Sequence, residues 1–270
     1  MSKLWTRNRP AFPRIDRQAP LAKGLVFAGL GGGASTLHYS DASGYGNHGV
    51  LTNMDPPTDW VWVQELGRWG VDGDGSNDLI AIQRQPVGAE TITLAAWIYH
   101  RGGGNSFGRL FDNGKLVGFC EVSNERMGIS SDGFATGVLY CDVSSLTLDT
   151  WTHWAAVRNS DGTATHFQNG TALTSGASGT PAAGTTGASL LNRAAGDRAW
   201  DGLLADAAIY NRALSLPEIQ QLADPSNVML SGLILPPRRR LFASAGGAPA
   251  VNAPTGHLYG PLVGSLGGPV

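Results

Sequence analysis

The stretch Thr91-Ile-Thr-Leu-Ala-Ala-Trp-Ile-Tyr99 decides the fold class. Its side chains alternate, with Ile92, Leu94, Ala96 and Ile98 on one face and Thr91, Thr93, Ala95, Trp97 and Tyr99 on the other. A period of two belongs to an extended strand. Working outward, Gly24-Leu-Val-Phe-Ala-Gly-Leu30 and Asp78-Leu-Ile-Ala-Ile-Gln83 read as strands before it. Phe107–Phe111 and Lys115–Val122 follow, flanking Asp112-Asn113-Gly114, a turn that needs positive φ. Trp151–Arg158 and Thr163–Gln168 flank Ser160-Asp161-Gly162, Asn169-Gly170 turns the chain again, and Gly202–Tyr210 is the last long strand. Strands at this spacing, punctuated by glycine turns, predict an all-β sandwich or barrel.

One helix signal stands apart. In Leu214-Ser-Leu-Pro-Glu-Ile-Gln-Gln-Leu222, Ser215 can cap, Glu218 closes a capping box, and Pro217 sits where the first turn tolerates it. The sequence therefore predicts one short helix near 215–223, pinned by Ile219 and Leu222.

Composition bounds the class. In 270 residues only 15% are charged, 38 are glycine and 42% are hydrophobic, with eight tryptophans, which is a core-forming and not a disordered composition. No apolar run approaches the ~18 residues of a membrane span, so no membrane partner is expected. Met1–Pro10 lacks an apolar h-region, so a classical signal peptide is not expected either. Cys120 and Cys141 are too few for a disulfide framework or a zinc site, and read as two buried thiols or as one pair across neighbouring strands.

Charge divides the chain into three parts. Residues 1–23, an extended arm, carry six Lys and Arg against Asp16, a net +5. Residues 225–270, a Gly- and Pro-rich arm, carry Arg238, Arg239 and Arg240 and no acid, a net +3. The body, residues 24–224, is left at −10. Neither arm interleaves arginine with several aromatics as single-strand binders do, so nucleic acid is not the expected partner.

The ordered motifs resemble the laminin-G-like, concanavalin A-like jelly-roll family. The matching pieces are Gly24-Leu-Val-Phe27, Asp41-Ala-Ser-Gly-Tyr-Gly-Asn-His-Gly49, Asp72-Gly-Asp-Gly-Ser-Asn-Asp-Leu-Ile80 and Ile92-Thr-Leu-Ala-Ala-Trp-Ile98. Trp151-Thr-His-Trp-Ala-Ala-Val-Arg158, Phe167-Gln-Asn-Gly170 and the run from Gly202 to Ser215 complete the set. The resemblance implies a two-sheet antiparallel jelly-roll sandwich, one sheet concave and one convex. Such domains serve lectins, glycanases and viral proteins, so the fold alone does not name a function.

The glycanase branch carries Glu-x-Asp-x-x-Glu on one strand, and this chain has no such motif; the nearest pair, Glu121 and Glu125, runs into a turn, so no catalytic residues and no enzyme activity are expected. Asp72-Gly-Asp-Gly-Ser-Asn-Asp78 lacks the glycine and terminal glutamate of an EF-hand loop. The resemblance implies a convex-face calcium site with an aspartate early in the last strand. Here that position falls on Ala205, with Asp206 expected on the opposite face, so no metal and no cofactor is expected. Histidines 38, 48, 100, 153, 166 and 257 show no ligand spacing. Gly31–Gly33 and Gly102–Gly104 are phosphate-loop-like only in glycine content, without a following helix.

Two groups of residues remain. Trp60 and Trp62, sharing a face by alternation, could form a sugar-stacking platform with Trp69, against core packing. Trp5, Phe12, Ile15, Leu235 and Phe242, with Arg238, Arg239 and Arg240, could anchor the arms to a neighbour. The leading expectation is a non-enzymatic structural protein of a phage virion, a capsid decoration or cement protein or a tail or fibre component, partnered by the major capsid protein or further copies of itself. The alternatives are a carbohydrate-binding module or adhesin for cell-surface glycans, extracellular or at a cell surface, and, third, a glycoside hydrolase.

Overall fold

The computed structural model describes residues 15–30, 37–84, 86–142 and 146–226. Within them sixteen strands form two sheets in which every pairing is antiparallel. Sheet I holds β1 (Leu25–Leu30), β4 (Trp60–Val63), β5 (Arg68–Asp74), β7 (Ile92–Gly104), β12 (Trp151–Arg158), β13 (Thr163–Gln168), β14 (Thr171–Ala177) and β16 (Trp200–Tyr210). Sheet II holds β2 (His38–Asp41), β3 (Gly49–Thr52), β6 (Leu79–Ile82), β8 (Phe107–Asp112), β9 (Val117–Glu121), β10 (Arg126–Ser130), β11 (Leu139–Tyr140) and β15 (Ala188–Leu190). In sheet I, β16 pairs with β7 along one edge and with β5 and β1 along the other. Sheet II runs β2-β3-β6-β15-β8-β9-β10-β11, and β1 joins the two sheets by pairing Gly29 with Asp41 of β2. This is the jelly-roll sandwich that the sequence predicts.

Alternation along β7 builds the core. Ile92, Leu94, Ala96 and Ile98 point inward against Leu110, Cys120 and Ile129 of sheet II and Leu116 of the β8–β9 turn. Each large aliphatic side chain so buried contributes roughly 1.5–3 kcal/mol. The other face of β7 is covered too: Ala95 lies under helix α2 (Leu216–Leu222), and Trp97 packs with Val63 and Leu66 at the β4–β5 turn. Helix α2 forms as predicted, with the Ser215–Glu218 capping box in place and Ile219 and Leu222 buried beside Tyr210. A four-residue helix α1 (Pro56–Asp59) begins at Pro56-Pro57, a start that no periodicity announces.

Three further expectations meet the structure here. β7 runs on to Gly104, so Gly102–Gly104 is a strand end pressed against β16; a Cβ on Gly103 would stand 2.0 Å from Asp201 Oδ2. Cys120 and Cys141 are two buried thiols on either side of β10, since Met127 pairs with Cys120 and its carbonyl accepts from Cys141 N. A pair across neighbouring strands is therefore ruled out. Ile15, expected as an anchor to a neighbour, packs half-buried on this chain's own cluster with Leu21, Tyr210 and Ile219. Trp5, Phe12, Leu235, Arg238, Arg239, Arg240 and Phe242 lie outside the described residues, as do Gly31–Gly33.

Candidate functional site

The outer face of sheet II carries a built aromatic surface. The Asp112-Asn113-Gly114 turn fixes the β8–β9 register: Gly114 takes φ +82°, Asp112 Oδ1 accepts from Gly114 N (2.6 Å), and Asn113 Oδ1 accepts from Leu116 N (2.8 Å). Arg109 then stands opposite Phe119, Phe119 opposite Gly128, and Gly128 opposite Tyr140, one row across four strands. The next row is Phe107, Glu121 and Arg126. Phe119 is fully buried at the centre, its ring edge-on to Phe107 (5.8 Å) and Tyr140 (5.7 Å). Arg126 lies 4.0 Å over the Tyr140 ring and bonds to Glu121. Such cation–ring contacts are worth roughly 0.5–2 kcal/mol.

Phe134 completes the surface from the β10–β11 loop. Its ring sits 5.1 Å from Phe119 and 6.3 Å from Phe107, with the Arg109 guanidinium 4.9 Å above it. The residue is 37% exposed and has φ +72°. A bulky side chain in the left-handed region costs about 1–2 kcal/mol. Asp132 enforces it: its carboxylate accepts from Ala135 N (2.9 Å), Thr136 N (2.9 Å), Thr136 Oγ1 and Thr180 N (3.3 Å), while Ser130 Oγ accepts from Phe134 N (2.9 Å). Burial pushes the Asp132 pKa up, but the bonds from Thr136, Ala135 and Thr180 outweigh it and hold the carboxyl below its ordinary range. The loop thus presents one aromatic ring in a fixed pose. Backbone strain held in place by surrounding structure is characteristic of binding and active sites.

The tryptophans separate. Trp60 is buried in the inter-sheet core, stacked on Tyr39 at 5.7 Å and 16°, and takes no part in a surface platform. Its partner across β5 is Val71, deep in the sandwich, whereas Trp62 pairs with Trp69 at the rim. Trp62 is 49% exposed and edge-on to the half-buried Trp69 at 5.7 Å. The shared face is as predicted; the depth differs along it.

Asp206 is turned by a β-bulge. The pairing of β16 with β7 slips between Ala205 and Ala208, and Asp206 takes φ +49°. The slip puts Asp206 on the outer side, with Ala205, and not on the opposite face that strict alternation predicts. There its carboxylate is buried against the Arg68 guanidinium, and with Ala205 at the position the resemblance gives to the calcium ligand, the residues do not fit the metal. Among the described residues no three His, Cys, Asp or Glu side chains converge as a metal site. Asp72 and Asp201 both bond to Arg101, and Asp78 accepts from Asp74 N (2.9 Å), so the Asp72–Asp78 stretch is a turn feeding β6.

Sequence reading missed Phe107, Arg109, Phe119, Arg126, Phe134 and Tyr140. The hairpin at Asn113-Gly114 could have placed Arg109 opposite Phe119, and Phe107 opposite Glu121, before any coordinates. Nothing local marks Phe134.

These features define a lectin-like sandwich with one aromatic face. Residues 74–220, more than half of the chain, match the model of the concanavalin A-like lectin/glucanases superfamily (the third laminin G model), and the chain belongs to that superfamily. Similar solved structures include the binding domain of botulinum neurotoxin serotype D, 12% identical with a TM-score of 0.56 over 75% of this chain and 51% of that one. The binding domain of Paraclostridial Mosquitocidal Protein 1 is 17% identical with a TM-score of 0.53 over 75% and 52%. A Trypanosoma rangeli sialidase mutant displaying trans-sialidase activity is 16% identical with a TM-score of 0.58 over 82% and 37%. This chain therefore spans about half or less of those chains. No curated protein matches the sequence.

Proposed function

We propose that this domain is a non-catalytic carbohydrate-binding module for extracellular or cell-surface glycans, and that it binds through the outer face of sheet II. The observation that carries the reading is Phe134, an aromatic ring held in a left-handed backbone pose and left partly exposed beside Phe107, Phe119 and Arg109, with Tyr140 against the same Phe119 and Arg126 over Tyr140. Sugar rings stack their C–H faces on aromatics, and neighbouring charged groups bond the hydroxyls. Arg126 and Glu121, half-buried at the rim, supply a donor and an acceptor.

The absence of catalysis is part of the proposal. A retaining glycosidase needs two carboxylates about 5 Å apart across the sugar. On this face Glu121 bonds to Arg126, Asp112 to Arg109, and Asp132 to loop amides, which supports binding without turnover. Two of the similar structures are themselves described as binding domains, which supports a recognition role. The virion role rests on arm residues outside the described range, and the exposed aromatic face favours glycan recognition over it.

The test is a glycan array with the full chain, followed by affinity measurements on Phe134→Ala and Tyr140→Ala. Each should weaken binding by about tenfold or more, equivalent to about 1.4 kcal/mol. Binding that survives both changes and vanishes with Trp62→Ala would move the site to the rim of sheet I. Hydrolysis that disappears in Glu121→Gln would replace the module with an enzyme.

A further inference from the structure

The outer face of sheet I holds a separate site, independent of the glycan reading. Arg68 at the start of β5 is buried, and every arm of its guanidinium ends on oxygen. Nε donates to Leu66 O (2.8 Å), one terminal nitrogen to the Asp206 carboxylate, and the other to Pro225 O (2.9 Å). Three segments distant in sequence meet there: the β4–β5 turn, the β16 bulge and the chain beyond α2. Two backbone carbonyls and one carboxylate are the kind of donor set that a hard divalent cation takes. The bulge at Asp206 turns that carboxylate toward the other two oxygens.

We propose that Arg68 is a tethered cation standing in an oxygen cage of the kind that binds calcium, so that these three segments are held together without any dissociable metal. A guanidinium is charged at every accessible pH and fans its donors in a plane, matching three separate acceptors. Because it is covalently attached, neither chelators nor dilution removes it. His153 lies beneath the site, fully buried, and burial followed by the Arg68 charge pushes its pKa down to about 3, so it stays neutral. The domain therefore needs no calcium to hold these three segments together.

The experiment compares thermal melts of the full chain in EDTA and in millimolar calcium, for the wild type, Arg68→Ala, Arg68→Lys and the double variant Arg68→Ala/Asp206→Asn. The wild-type midpoint should not differ between the two conditions by more than about 1 °C, because nothing dissociable is present. Arg68→Ala should melt roughly 6–20 °C lower, as for a buried carboxylate stripped of its partner. Added calcium or ethylguanidinium should restore part of that loss, and the double variant should respond to neither. Arg68→Lys should fall between wild type and Arg68→Ala, since it keeps the charge but not the three-way geometry. If Arg68→Ala does not fold unaided, refolding it with and without ethylguanidinium reads the same refilling. A wild-type midpoint that rises with calcium, or an Arg68→Ala protein as stable as wild type or indifferent to both cations, would overturn the proposal.

Discussion

Phe119 lies across Gly128: a Cβ on that glycine would stand 2.3 Å from Phe119 Cζ, in the centre of the outer face of sheet II. The missing side chain on β10 is what lets the ring lie flat and support Phe107, Phe134 and Tyr140 around it. Gly128→Ala should displace Phe119, cost about 1–3 kcal/mol by overpacking, and weaken ligand binding together with stability. Denaturant melts check the first effect; an unchanged midpoint would mean the ring has another resting place.

Phe134 separates strain from contact. Phe134→Ala removes the ring and keeps a β-carbon in the left-handed region, whereas Phe134→Gly removes both ring and strain. The glycine variant should be more stable than the alanine variant by about 1 kcal/mol, reversing the usual order of the two residues. Neither should bind the ligand. Equal stabilities would show that the loop relaxes once the ring has gone.

Asp78 gives a pH signature. Burial, reinforced by Asp74, Asp59 and Asp72 and opposed by the bond from Asp74 N, raises its pKa from 3.8 to about 6. An acid whose folded-state pKa is raised favours folding only when protonated. Its unfavourable contribution is absent below about 4, grows as pH rises to about 6 and is complete above. Asp78→Asn keeps an acceptor for Asp74 N without the charge. The variant should be more stable than wild type at pH 7–8, and the advantage should shrink toward zero as pH falls to about 4. Paired melts across that range check it, and a constant difference would rule out titration of Asp78 as the cause.

Much of this was legible in the sequence, and the limits have physical causes. Alternation in Thr91–Tyr99 and the positive-φ turns at Gly114, Gly162 and Gly170 carry the sandwich, because each turn pins the register of the strands beside it. Ser215 and Glu218 give the helix because a capping box is a local interaction. Alternation says which face a residue occupies but not how deep it lies, which is why Trp60 and Trp62 share a face and differ in exposure. It also fails at a bulge, where one extra residue turned Asp206 outward toward Arg68. Phe134 was invisible because its pose is imposed by Asp132, Ser130 and Thr180 through the loop and not by its neighbours' propensities.

Glu218 ties the only helix longer than one turn among the described residues to the sheet, and its titration should expose that tie. Arg212 holds both carboxylate oxygens, at 2.6 and 2.9 Å, and Ser215 N donates to one of them at 2.8 Å. The Arg212 bonds, with smaller help from Ser215 and against burial, lower the Glu218 pKa from 4.5 to about 2. Because the folded-state value is depressed, the stabilisation is present above 4.5 and is lost as pH falls toward 2. Helix α2 covers Tyr210, Phe167 and Ala155 on the outer face of sheet I, so loosening its first turn exposes apolar surface there. Glu218→Gln should cost about 0.5–2 kcal/mol at neutral pH, the range for losing a cap. The deficit should close as pH falls, since protonated Glu218 loses the same bonds. Hydrogen exchange at Ile219 and Leu222 should quicken in the variant before global unfolding does. A deficit that persists unchanged at low pH would mean the glutamate acts by shape and not by charge.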